Sequence, residues 1–184
     1  MKVSREQAER NRENVVEAAS RLFRAQGVEG AGIATIMAQS GLTHGGFYKQ
    51  FGSKEALAAE ACQRSLERSA NRWQSIAEGA QSDALAAIAA DYLSPRNRDM
   101  PELGCALIGL GSDAARRGGA LADAFRDGML GLVGILEEQG LGRGAALARL
   151  SQLVGAMVLA RAVKDEGLSE EIMAASRNVL GDTD

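Results

Sequence analysis

The chain has 184 residues, 46% of them apolar, 4% aromatic and 24% charged, with a formal net charge of −3. That is enough apolar material for one or two packed domains, and abundant Ala, Leu and Gly beside only two prolines, Pro95 and Pro101, is a helical composition. No apolar run approaches the roughly 20 residues a membrane-spanning helix needs, and the start MKVSREQAER lacks the core of a signal peptide, so a cytoplasmic protein is expected.

In chain order, Ser4 with Gln7 makes a possible capping box opening a long amphipathic helix to Gln26. Val15, Ala18, Ala19, Leu22 and Phe23 recur at helical spacing as its buried face, and Gly27 stops it. A short helix from about Ile33 to Ser40 comes next. Gly41 suits a left-handed helix end, and Thr43 is placed to cap a second short helix running to Phe51. Two short helices across a Gly-containing turn predict a helix-turn-helix. Its second helix carries Thr43, His44, Gly45 and Gly46 at the exposed N-terminal end, while Phe47 and Phe51, four apart, anchor it. Tyr48, Lys49 and Lys54 flank that end with a hydroxyl and two cations.

Ser53 can cap the next helix, which runs without a breaker to about Glu78 and ties the N-terminal unit rigidly to the rest of the chain. Charge divides along the same line. Through Lys54, eight Lys and Arg stand against five Glu, a net +3, which leaves −6 on the remainder. A basic head on an acidic body suits nucleic-acid binding joined to another activity; ordinary solvated charge is the plainer reading.

The motifs carrying most information are VVEAASRLFRAQGVEG, IATIMAQSGLTHGGFYKQF and GSKEAL. Together they resemble the TetR-type bacterial transcriptional regulators over roughly Asn11 to Leu57. The resemblance implies an all-α protein: a three-helix N-terminal helix-turn-helix head, residues 1–53, then a helical-bundle regulatory and dimerisation domain, residues 54–184. It implies a homodimer on a palindromic operator, most simply a repressor, released by a small molecule. Tyr48 and Lys54 would hold phosphates, and Thr43, His44 and Gly45 would approach base edges. Ala31, Gly32 and Ala34 depart from the family pattern, where Thr, Ser or another polar residue is usual; Thr35 can substitute for one lost phosphate contact. Gln50 stands where His or Tyr is usual. The Gly45-Gly46 pair fits either close approach of the backbone to DNA or a merely permissive turn. His44, the sole histidine, is equally readable as a base contact or an exposed surface residue.

In the body, Ser82 or Asp83 can cap a helix to about Leu93, and SPRNRDMPEL is expected to be an irregular loop. A buried helix from about Leu103 would place Gly109 and Gly111 at close contacts. The next helix would carry a small-residue ridge of Gly128, Gly131 and Gly134. The last two helices, rich in Ala, Leu, Val and Met on one side, are the expected dimer interface by the resemblance. Trp73, Tyr92, Phe125, Met129 and Met157 either line an effector pocket or belong to the core. Cys105, near a helix start, can have a lowered thiol pKa and sense electrophiles or oxidants, or be inert and buried.

The two cysteines are too far apart for paired ligand spacing, and no metal cluster, catalytic Ser-His-Asp or Cys-His set, or Gly-rich phosphate loop is visible. No cofactor and no enzyme activity are expected. The alternatives to a ligand-responsive regulator are a helical small-molecule-binding or scaffold protein without specific DNA binding, and a thiol-based sensor using Cys105.

Overall fold

A computed structural model describes residues 4–181; these form α-helices and short 3-10 turns, with no strand among them. Helix α1 spans Arg5–Gly30, capped by Ser4, whose hydroxyl accepts from the Gln7 amide at 3.1 Å. Gly27 interrupts it at φ 72°, ψ 168°, a conformation side chains avoid, so the stop expected there exists as a kink inside a longer helical span. Helix α2, Ile33–Gln39, ends at Ser40, and Gly41 at φ 73° turns the chain. The Leu42 amide then donates back to the Met37 carbonyl at 2.9 Å.

The next element differs from the expected single helix. His44–Gly46 is a 3-10 turn, and only Phe47–Phe51 is α-helical, forming α3. Thr43 does not cap it through its side chain; α3 has Gly46 at its N-cap with no side-chain bond, while the Thr43 carbonyl accepts from the Gly46 amide at 3.4 Å. Two successive glycines give little helix propensity, and the tighter turn wins there.

Helix α4, Lys54–Gly79, is capped by Ser53, which accepts from the Ala56 amide at 3.0 Å. It packs along α8, Gly119–Glu138, and also against α1 and α7, Ala106–Arg117. Helix α5, Ala84–Tyr92, starts on Asp83. The stretch from Ser94 to Leu103 is mostly helical rather than irregular: α6 covers Pro95–Asp99 and a 3-10 turn covers Pro101–Leu103. Ser94 at the N-cap with Pro95 in the first turn accounts for it. Helices α9, Arg143–Ala162, and α10, Glu166–Gly181, pack against each other at the far end.

One apolar core runs through head and body, from Val15, Phe23, Ile36 and Phe47 to Leu57, Leu66, Trp73, Leu110, Leu132 and Met157. Burial at about 25 cal/mol per Å² of apolar surface makes this shared core the main cohesive force, and it includes the inner face of α1. Gly109 lets α7 lie on α1: a Cβ there would sit 2.7 Å from the Arg24 carbonyl oxygen. Gly111 faces Phe125 at ordinary contact distance. Of the expected glycine ridge on α8, Gly128 alone meets a neighbour, Leu66; Gly131 and Gly134 face open space. Although α9 is 20 residues long and an 18-residue stretch of it has a mean hydropathy of 1.3, long and apolar enough to cross a membrane, its Leu150, Leu153 and Met157 are buried in this core.

Candidate nucleic-acid interface

The short helix α3 is fixed from behind by its aromatic residues. Phe47 is fully buried and Phe51 nearly so, with ring centroids 5.7 Å apart. The Arg12 guanidinium lies 4.9 Å above the Phe51 ring and is held by both carboxylate oxygens of Glu60, so α1, α3 and α4 meet at one point. With this side anchored, the other faces water. Thr43, Gly45 and Lys49 are exposed, and Tyr48 is 61% exposed with its ring edge-on to Phe47 at 5.1 Å. The side chain of His44 lies outside the described residues. Thr35 is exposed on α2, whose N-cap, Gly32, supplies no side-chain hydrogen bond. Lys54 opens α4 half-buried, its Nζ donating to the Glu29 carbonyl at 3.4 Å. A cation in a first helical turn opposes the helix dipole, so Lys54 is not there to stabilise α4.

Two contacts that no sequence pattern announces lock this head onto the body. Asp113 of α7, buried at 5% exposure, accepts from the Val28 amide at 3.0 Å, just past the Gly27 kink. Arg117, one turn further, reaches Glu29 of α1 and Glu55 of α4 as well as Asp113. The only sequence signal for Asp113 is a charged residue among the core positions Leu110 and Ala114.

The residues proposed for an effector pocket separate into two groups. Trp73, Tyr92 and Cys105 line one cleft of about 320 Å³, the first two as an edge-to-face pair at 5.6 Å. Phe125 and Met129 lie on α8 outside it, partly buried against the core, and Met157 is fully buried core. Cys105 does occupy the N-cap of α7, but burial pushes its thiol up, against the lowering by the Leu107 backbone and the Tyr92 and Ser69 hydroxyls. Desolvation outweighs the helix terminus there, so the low-pKa thiol expected of a sensor is not formed. Cys62, buried in α4, is pushed up to about 12.

Residues 15–61 match the family model described as bacterial regulatory proteins, tetR family. The uncharacterized HTH-type transcriptional regulator YerO of Bacillus subtilis (strain 168) is 34% identical over 67 residues, which is 36% of this chain and 23% of that protein. The match thus spans about a quarter of that relative. Among solved structures, a TetR transcriptional regulator from Chloroflexus aurantiacus superposes with a TM-score of 0.77 at 23% identity, over 94% of this chain and 95% of that one. The reduced form of E. coli NemR superposes with a TM-score of 0.75 at 20% identity, over 91% and 95%. The head is thus matched by sequence, residues 15–61 to the tetR-family model, and the chain as a whole shares the fold of solved TetR-type regulators.

Proposed function

We propose that the chain is a DNA-binding transcriptional regulator that acts in the cytoplasm as a homodimer, a repressor of a palindromic operator released by a small molecule. The observation that carries this reading is α3 and the turn before it. The aromatic side, Phe47 and Phe51, is buried in the protein, and Thr43, Gly45, Tyr48 and Lys49 on the other side are presented to solvent. A segment of that shape enters a major groove with its N-terminal residues on base edges. Thr43, His44 and Gly45 are assigned to bases, and Thr35, Tyr48, Lys49 and Lys54 to phosphates, with the head ending at residue 53.

The dimer forms through α9 and α10. Leu147, Val158, Leu159, Leu168 and Val179 on these helices are exposed, between 37% and 56%, and an apolar face of that kind is suited to a second copy. Two heads so joined bind half-sites about 34 Å apart on one side of the duplex. Ligand in the body shifts the population toward a head spacing that no longer fits.

Selection of bound sequences from random duplex DNA tests the reading. An enriched palindrome with half-sites one helical turn apart, or a multiple of it, is expected. Enrichment of a lone half-site would remove the dimer, and no enrichment at all would leave a helical small-molecule-binding protein without operator recognition.

A further inference from the structure

The cleft holding Trp73, Tyr92 and Cys105 lies between α1, α4, α5, α6 and the N-cap of α7, and Arg24 is among the residues that line it. Arg24 is 5% exposed. Its Nη1 donates to the Ser65 hydroxyl at 2.6 Å, while Nε and Nη2 have no hydrogen-bond partner among the described residues. A buried guanidinium with one neutral partner is costly, because two of its nitrogens have given up water for nothing. The charges around it do not relieve this. Arg68 and Arg21 repel it, and Glu17, the carboxylate that faces it, is occupied by those two arginines. Burial accordingly pushes Arg24 down to about 10, which leaves it charged at neutral pH.

The unpartnered pair is the informative part. Nε and Nη2 form one edge of the guanidinium, with two parallel N–H groups matched to a carboxylate. At the mouth of the same cleft Arg72 uses that edge on the two carboxylate oxygens of Asp91. Arg24 offers the same edge and nothing among the described residues takes it. Arg161, whose Nε is likewise without a partner among the described residues, interacts electrostatically with Tyr92 and Cys105. Trp73, Tyr92, Leu103 and Ser69 give the cleft its apolar and hydroxylic lining, and Arg68, Arg96, Asp91 and Asn97 line it as well. At about 320 Å³ the space lies at the small end of ligand pockets, which run to roughly 1,000 Å³.

We propose that this cleft binds a small organic carboxylate, its two oxygens on the Nε–Nη2 edge of Arg24 and its apolar body against Trp73 and Tyr92. This names the chemical class of the effector and rests on the regulator reading above only for its consequence. Arg24 belongs to the head, Trp73 to the connecting helix and Tyr92 to the body, so a bound carboxylate ties the three together.

Trp73 is the sole tryptophan and reports on the site directly. Its emission is followed, without DNA, in titrations with acetate, hexanoate, benzoate and phenylacetate, with benzamide and hexanamide as neutral counterparts and with inorganic phosphate. Saturable binding of at least one of the larger carboxylates is expected, about tenfold or more tighter than its amide, with acetate and phosphate weaker. Arg24→Gln should lose about tenfold or more for that carboxylate and little for the amide. Arg24→Met, which removes the unpaired charge, should melt at or above the wild type and bind no carboxylate. The proposal is overturned if no carboxylate binds, if amide and acid bind alike, if phosphate binds as well as the organic acids, or if folded Arg24→Gln protein retains full affinity. The same carboxylate is then added to the protein on its selected DNA. Binding in the cleft with no effect on that complex keeps the site and removes its effector role; binding by a protein that selects no DNA keeps the site and removes the regulator reading.

Discussion

Lys49 and Lys54 are both near α3 but differ in how the chain holds them. Lys49 is exposed in the last turn of α3, whereas Lys54 is half-buried and donates to the Glu29 carbonyl. Each phosphate contact releases counterions, so Lys49→Ala and Lys54→Ala should each weaken binding to every duplex and lower the slope of log affinity against log salt by about 0.9. Thr43→Ala should leave that slope unchanged and alter the preferred sequence. Affinity measured on selected and scrambled duplexes over a salt series checks this; equal losses on both duplexes from Thr43→Ala would contradict its placement on a base edge. At this scale the sequence was legible where a residue acts through its neighbours in the chain. Phe47 and Phe51 four apart announce an anchored stripe, and the caps at Ser4, Ser53 and Asp83 lie where their spacing requires. Arg24 and Asp113 were not legible, because their partners, Ser65 and the Val28 amide, lie 41 and 85 positions away. Periodicity sees only a polar residue in an apolar register.

Helix α1 is held to α4 by a carboxylate that two arginines share. Both oxygens of Glu17 accept from Arg68 on α4, and one also accepts from Arg21. Hydrogen bonds from Arg68 chiefly, then from Arg21, bring Glu17 from 4.5 down to about 2, against the upward pull of burial. Because the folded value is the lower one, the pair stabilises fully above pH 4.5, and that stabilisation is lost as pH falls toward 2. Urea denaturation at a series of pH values should therefore show an acid loss that Glu17→Gln lessens, with the variant already weaker at neutral pH. An identical acid profile in wild type and variant would count against the clasp. The Gly27 kink is a second device at this scale. Gly27→Ala forces a side chain into a backbone region of about 1–3 kcal/mol strain, with its Cβ 3.1 Å from an Asp113 carboxylate oxygen. A loss of that size in thermal or urea denaturation is expected, and an unchanged midpoint would contradict it. The stop at Gly27 was readable as a glycine closing an amphipathic run. Helix α6 was missed because two prolines suggested a loop, although Ser94 before Pro95 is itself a helix-start signal.

In the molecule as a whole, head and body share one core with no flexible tether between them. Asp113 and Arg117 fasten the end of α1 to α7, and the cleft above Arg24 opens on the same junction. The all-helical class and the division of charge were readable from composition. The junction was not, since it depends on which faces of α1, α4 and α7 meet. The last two helices leave Val158, Leu159, Leu168 and Val179 uncovered. A chain whose cohesion is completed by another copy obeys mass action, so its melting temperature should climb with protein concentration. Scanning calorimetry over a roughly hundredfold range of loading measures that, and a flat melting temperature would contradict the pairing. If the chain regulates as the proposed dimer, the same dependence would turn abundance itself into a signal: halving its concentration near the dissociation constant would remove more than half of the pairs, so dilution by growth without new synthesis would relax control before any effector arrives.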